Sequence, residues 1–334
     1  MYERLGEYRY RSVGSRLKTR CRIKLEPENP VRSAFMKRLR ENDKTKRIYE
    51  CNPNYEVFRL RENLYGLFSE SLGGVADQWV YVLVGPERAM VIDTAYGLGD
   101  LRALVEKLTE GKPYDVVNTH GHPDHCGGNM WFDTVYCHEY EVQAIRKFEA
   151  DTDRLTSVLN EEGTNGRYTD FDPKDLPPIR DYVLIGVENG HIFHLGPGFD
   201  VELIFMPGHS AGHCVLLDKK DRILFGGDDM CIGVLHVGLG DRTSPYAKYA
   251  TVTAFRDELK KLCGRLEEFD GIFPGHGIVD IGSEWLLDLL ETCEEIIAAP
   301  EKADKEIPAF YTKQPRFAKR IHDSGYLTYD FMSI

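Results

Sequence analysis

Residues 119–128 read T-H-G-H-P-D-H-C-G-G, which places His120, His122, Asp124 and His125 within six positions. Neutral imidazole and carboxylate are the nitrogen and oxygen donors that borderline divalent ions prefer. Chance supplies such a pattern on the order of once in a thousand chains of this size, so it calls for a chemical reason. In extended backbone, residues two apart point the same way, so His120 and His122 can converge on one ion. Asp124 and His125, beyond the kink at Pro123, are displaced toward a second. Three further residues follow expected strands and lie beside glycines: His209 in F-M-P-G-H-S, Asp228 in I-L-F-G-G-D-D and His276 in I-F-P-G-H-G. Asp93 closes the apolar run A-M-V-I. A lone His or Asp at a strand end is ordinarily a solvated turn residue, but several strand ends each offering a donor point to a metal centre.

The elements that must position these residues are short. Strands are expected at 56–60, 64–68, 78–84 and 88–93, spaced as antiparallel neighbours. Over 98–109, Leu101, Leu104, Val105 and Leu108 have the spacing of an amphipathic helix, with Gly111 and Pro113 as stop signals. A strand at 115–119 runs straight into the His-rich loop, and open α/β sheets carry their sites at such strand ends. Strand 134–137 and helix 139–149 follow. Residues 150–186, rich in Asp, Gly and Pro with little periodicity, read as an insertion. Strands resume at 191–195, 200–206, 213–218 and 222–226. A helix is expected over 247–268, a strand over 270–273 and a last helix over 283–298. That helix has Ser283 as its N-cap and Trp285, Leu289 and Ile296 on its buried side.

The ordered set Asp93, then His120-x-His122-x-Asp124-His125, then His209, Asp228 and His276, resembles the motifs of the metallo-β-lactamase superfamily over roughly residues 56–298. The resemblance implies an α/β fold of four layers, an αββα sandwich with a dinuclear site in the groove at one edge. Carried over position by position, it implies His120, His122 and His209 on one ion. Asp124, His125 and His276 would hold the other, with Asp228 bridging the two. Asp93 would hydrogen-bond the His loop and fix ligand orientation. His213 and Ser210 are candidates for the same duty, with a plain structural role as the alternative. The implied cofactors are two divalent ions. Ligand type favours zinc, while iron and manganese occupy the same set in relatives. His122 stands where the flavodiiron branch carries Glu, which argues against oxygen reduction.

The activity implied is hydrolysis by a metal-bridged hydroxide, with Asp124 and Asp228 as the catalytic carboxylates that orient it. A small carbonyl compound, whether ester, lactone, thioester or amide, is the expected substrate. A phosphodiesterase or nuclease using the same centre is the alternative. Cys231 occupies the position where lactonases of this superfamily usually carry Tyr, which weakens that branch. The thioesterase branch typified by glyoxalase II adds a C-terminal helical domain with basic residues, and only 58 residues follow His276 here. The loop 229–246 and the insertion should flank the metals. In that loop His236, Arg242 and Tyr246 are the candidate substrate contacts, beside Asp241, with Met230, Ile232 and Leu235 as an apolar wall.

Composition bounds the rest. The chain has 334 residues, 42% apolar and 29% charged, a globular balance. No apolar run approaches the length of a membrane span and the first residues lack a secretory signal. Eight Cys without a C-x-x-C pair suit a reducing, cytoplasmic setting. The expected organisation is a basic extension over 1–55, a catalytic domain over 56–300 with the insertion 150–186, and a tail over 301–334. Residues 1–50 hold 15 Lys and Arg against 7 Asp and Glu, in a chain of net charge −12. Such an arm suits a homodimer clasp or contact with its own acidic body better than nucleic acid, because its charges are spread rather than blocked.

Overall fold

Alternating apolar residues over positions 52–92 build an antiparallel meander. β2 (Asn52–Arg59), β3 (Leu64–Ser71), β4 (Ala76–Val84) and β5 (Ala89–Ile92) pair in succession, with β1 (Arg47–Tyr49) on the outer side of β2. The computed structural model describes residues 43–71, 76–153, 155, 173–307 and 315–334. The arm up to residue 42, with its expected clasp, and most of the 150–172 stretch lie outside them. From β5 onward the sheet turns parallel, adding β6 (Tyr114–Val117), β7 (Thr134–His138) and β8 (Val183–Val187) to make eight strands in chain order.

The crossover from β5 to β6 is α1 (Leu101–Leu108), begun by Asp100, whose carboxylate accepts the Ala103 N–H at 2.8 Å. Its expected stripe Leu101, Leu104, Val105 and Leu108 is buried in one core with Val57, Leu67, Val80, Val82 and Val91 of the sheet. Strand residues of opposite parity, among them Phe68, Trp79, Tyr81 and Leu83, are also buried and line the other face. Phe68 and Trp79 meet edge-on with ring centroids 4.8 Å apart. Two helices follow β6 and β7: the single turn α2 (Pro123–Cys126) and α3 (Val142–Glu149).

The chain divides into two compact units after Glu202. Close to that boundary, β9 (Ile192–His194) forms a hairpin with the first residues of β10 (Asp200–Phe205). The second unit continues with β11 (Cys214–Asp218), β12 (Ile223–Gly227), β14 (Gly271–Pro274) and β15 (Ile281–Gly282), where β12 and β14 run parallel. Two helices, α4 (Val252–Cys263) and α5 (Trp285–Ala298), share its core. There Phe255, Leu259, Trp285 and Leu289 lie with Val215, Leu217, Leu224 and Ile272. Thr251 caps α4 through its hydroxyl, which accepts the Ala254 N–H at 3.1 Å. Each unit is thus a sheet with helices on one face, the α/β build expected of the fold. Among the described residues, no helix is long and apolar enough to cross a membrane.

Several expected boundaries move. The last residues of the expected insertion are β8, which pairs in register with β7 from Thr134↔Val183 to His138↔Val187. Residues 47–55 belong to the first sheet rather than to an extension. The expected tail is structured: β16 (Lys305–Ile307), β17 (Arg316–Ile321) and β18 (Gly325–Tyr329) form a sheet with β13 (Gly233–His236) in the order β13-β18-β17-β16. β13 lies inside the expected loop 229–246, where it runs parallel to β18. A short strand such as β13 is recognised only through its partner, and that partner lies some ninety residues downstream. Ser283 does not cap α5: the helix starts after Glu284, and the Ser283 hydroxyl is directed to the Glu284 carboxylate at 3.4 Å. Met230, Ile232 and Leu235 are members of the second unit's core, so they are not an apolar wall for substrate.

The turn from β11 to β12 carries a pH-sensitive carboxyl. Asp218 is fully buried and accepts the N–H groups of Lys220 and Asp221 at 3.0 and 3.2 Å, and burial pushes its pKa up to about 7. Unfolded, the same group ionises near its ordinary value, so the native chain holds the extra proton between about pH 4 and about pH 7. Stability contributed here is therefore lost as pH rises through that window. Urea denaturation at both ends of the window should show the wild type losing stability relative to Asp218→Asn. A gap that stays constant with pH would contradict the assignment.

Candidate metal centre

The expected ligands fall into two sets, one in each unit, each carried on segments that follow strand ends. In the first unit Asp93 follows β5, and Asn118 and Thr119 lead from β6 into His120. The backbone of Asp93 is left-handed, with φ 62°. Few residues other than glycine adopt that conformation, and Asp is among those that tolerate it. It turns the carboxylate under the ligand loop. Oδ1 accepts the Thr119 N–H at 2.7 Å, and both oxygens lie within 3.1 Å of the Thr119 hydroxyl. Oδ2 meets His125 Nδ1 at 2.8 Å.

This network assigns the tautomers. Thr119 Oγ1 donates to Asp93 and so accepts from His120 Nδ1, 3.1 Å away. His125 Nδ1 donates to Asp93. In a neutral ring the other nitrogen then carries the lone pair, so Nε2 is the donor atom that each offers to an ion. His120 Nε2 lies 3.0 Å from His122 Nδ1, and His125 Nε2 lies 3.8 Å from Asp124 Oδ2. The rings of His120 and His125 have centroids 4.1 Å apart. Three imidazoles and a carboxylate therefore stand together in this unit, with His120 and His125 fully buried.

The loop is held from behind by residues that its motif did not advertise. Thr94 N–H, the Thr94 hydroxyl and the Asn118 amide all donate to the His125 carbonyl, at 2.8, 3.1 and 3.0 Å. Asn129 joins Asn118 to Tyr182, and Glu141 accepts the Gly121 N–H at 2.8 Å. Gly128 permits the close docking of α2 on the loop after β5, since a Cβ there would meet Thr94 O at 2.6 Å.

In the second unit β10 leads to His209, β12 to Asp228 and β14 to His276. The parallel pairing of β12 with β14 sets the last two side by side. Asp228 offers one oxygen to each ring: Oδ2 lies 3.3 Å from His209 Nε2, and Oδ1 lies 3.3 Å from His276 Nε2. His209 Nδ1 donates to the His236 carbonyl at 2.8 Å, so its Nε2 lone pair faces a carboxylate oxygen. A lone pair facing a carboxylate oxygen at that separation suits a cation shared between them. Tetrahedral coordination with bonds of about 2.0–2.1 Å sets donor atoms about 3.3–3.4 Å apart, which these separations match. The donor chemistry of both sets thus fits divalent ions.

Behind these candidate ligands stands Asp229, the sequence neighbour of Asp228. It is fully buried, accepts the His209 N–H at 3.1 Å and meets His213 Nδ1 at 2.9 Å. Burial pushes its carboxyl up, and the facing His213 draws it back down. His213 Nε2 in turn accepts the Asp228 N–H at 3.0 Å. Both nitrogens of His213 thus have partners within the protein. Gly208, at φ 149°, lets the His209 loop lie on α4, where a Cβ would come within 2.7 Å of Phe255 Cβ. Ser210 is buried in that loop and its carbonyl accepts the Gly208 N–H at 3.1 Å.

The third sheet reaches this set through His236. The ring of His236 meets Thr328 Oγ1 at 2.7 Å, while the buried Arg316 donates to the carbonyls of Val237 and Thr328. Arg242 is paired with Asp330, and Asp241 accepts the N–H and hydroxyl of Thr243 at 2.9 and 2.6 Å. Tyr246 precedes a short 3-10 turn, Ala247–Tyr249. Residues 238–239 run along the ligand loop, with Leu239 N–H donating to His209 O at 3.1 Å. Cys231 Sγ lies 3.6 Å from Asp228 O, and the seven described cysteines are free thiols.

Comparison with known proteins adds the family. The family model described as the metallo-beta-lactamase superfamily matches residues 73–229. Acyl-coenzyme A thioesterase MBLAC2 of Homo sapiens is 31% identical over 238 residues, covering 66% of this chain and 77% of that protein. The Bos taurus protein of the same name is 30% identical with the same coverage. Hydroxyacylglutathione hydrolase of Pelagibacter ubique (strain HTCC1062) is 24% identical over 191 residues, covering 56% of this chain and 66% of that one. Among solved structures, DIM-1 metallo-beta-lactamase covers 72% of this chain and 98% of its own at 21% identity, with a TM-score of 0.48. On the identity and coverage of the thioesterase relatives, the chain belongs to the metallo-β-lactamase superfamily and is a hydrolase.

Proposed function

We propose that the protein is a dinuclear thioesterase acting on acyl-coenzyme A or a related acyl thioester, with His120, His122, Asp124, His125, His209, Asp228 and His276 as ligands of two divalent ions, zinc by donor type. The observation that carries the metal reading is the tautomer assignment: buried partners occupy Nδ1 of His120, His125 and His209, so each presents Nε2 as an acceptor. The thioester is favoured over the ester, lactone and amide by the names of the thioesterase relatives, and the cytoplasmic setting by the free thiols. When bound, two divalent ions would supply a water acidic enough to deprotonate near neutral pH and positive charge for the carbonyl oxygen.

The chain's own groups do the rest. Asp228 and Asp124 accept hydrogen bonds from the attacking water and aim it at the carbonyl carbon. A thiol has a pKa of about 8.5, so a thiolate leaves without a strong acid to protonate it, and none is needed at the carboxylate-lined centre. Asp93 and Asp229 hold the imidazoles in place throughout, which spares reorganisation during the reaction. His236, Arg242 and Tyr246 are the proposed substrate contacts, on the segment that runs beside His209. The homodimer clasp formed by the basic arm is likewise proposed.

Two results test this reading. Zinc-loaded protein should hydrolyse an acyl thioester with a kcat/KM at least about tenfold above that for the oxygen ester of the same acyl group. In Asp228→Ala or His122→Ala, turnover should fall on the order of a hundredfold or more, since several kcal/mol of charge stabilisation is lost. Equal rates on both esters would remove the thioester assignment, and undiminished turnover in the variants would remove the centre. Asp93→Ala should weaken zinc affinity about 10–100-fold in a chelator competition while the circular dichroism stays native. An unchanged affinity would show that Asp93 does not orient the ligands.

A further inference from the structure

Apart from the ligands described above, the described residues bring together one other set of nitrogen and oxygen donors: Asp288, Glu291 and His322. Asp288 and Glu291 are three apart on α5 and so share one face of the helix. His322 opens the turn between β17 and β18, with a left-handed φ of 42°. That turn is fastened to the start of the same helix. Trp285 Nε1 donates to Ser324 Oγ at 2.8 Å, and Ser324 Oγ donates to Ile321 O at 2.8 Å.

The fastening brings His322 Nε2 to 3.0 Å from Glu291 Oε2 and 3.5 Å from Asp288 Oδ1. One donor atom from each of the three lies within 4.8 Å of the others. The two separations bracket the edge of about 3.3–3.4 Å between donors on a tetrahedral zinc. One imidazole with two carboxylates suits a borderline ion; magnesium and calcium prefer oxygen alone. Asp288 is buried, whereas the Glu291 side chain is half exposed, which leaves room for water as the fourth ligand. The nearby cation Lys319 is directed to Glu295, at 3.1 Å, and so does not fill the set.

We propose that Asp288, Glu291 and His322 form a separate zinc site that staples the β17–β18 turn to α5. The competing account is a protonated His322 shared between two carboxylates, with no ion. The test uses the full-length chain, stripped by chelator, reloaded with zinc and counted by plasma emission. Glu291→Gln, on the helix surface, and His322→Gln should each hold one zinc per chain fewer than wild type, with hydrolytic turnover unchanged. Crystals of the zinc-loaded protein should show an anomalous peak about 2.0–2.1 Å from His322 Nε2. Equal zinc content in wild type and variants, or no such peak, would overturn the proposal in favour of the protonated pair. Because the count is a difference between chains, it does not depend on how many ions the main centre holds.

Discussion

A metal ligand is useful only if its lone pair points at the ion, and in this chain that condition falls on two buried carboxylates. Asp93 lies where β5 ends, in a backbone conformation that costs free energy, and takes hydrogen bonds from Thr119 and His125. Through the Thr119 hydroxyl it also fixes His120. Asp229 does the corresponding work in the second unit, gripping the His209 backbone and the ring of His213, which in turn holds the Asp228 N–H. Each unit therefore prepares its own donors before any ion arrives. Both anchoring carboxylates follow strand ends, as do His120, His209, Asp228 and His276.

The candidate ligands stand out in the sequence because their chemistry compresses them into recognisable patterns. H-x-H-x-D-H is dense, and His209, Asp228 and His276 each follow an apolar run and a glycine. Asp229 was not legible as a separate function, since sequence alone does not say which of two adjacent acids a strand end turns outward. Glu141 and Thr328 lie 20 residues and more from the loops they support, and nothing local marks them. The amphipathic stripe of α1 was readable for the opposite reason, because its period is local and all four apolar positions are buried.

The largest departure lies in the C-terminal region, where the polar and aromatic alternation of residues 316–329 is a hairpin rather than a tail. Its strand β18 makes β13 a strand, and β13 brings the His236 carbonyl to His209 Nδ1. Thr328 holds the His236 ring, and Arg316 donates to the neighbouring Val237 carbonyl, both from the far end of the sequence. Cores behave similarly: Met230 and Leu235 resembled pocket lining because they sit near a ligand in the chain, yet they face the helices of their own unit. Proximity in sequence to a site is a poor guide to which side of a strand faces it.

The central claim is that the imidazoles and carboxylates so prepared bind ions and that hydrolysis depends on them. Turnover of an acyl thioester by the chelator-stripped chain, followed as zinc is added back, addresses it most directly. The stripped protein should be inactive and should recover full turnover as zinc fills the site. Full activity in the metal-free protein would contradict the account.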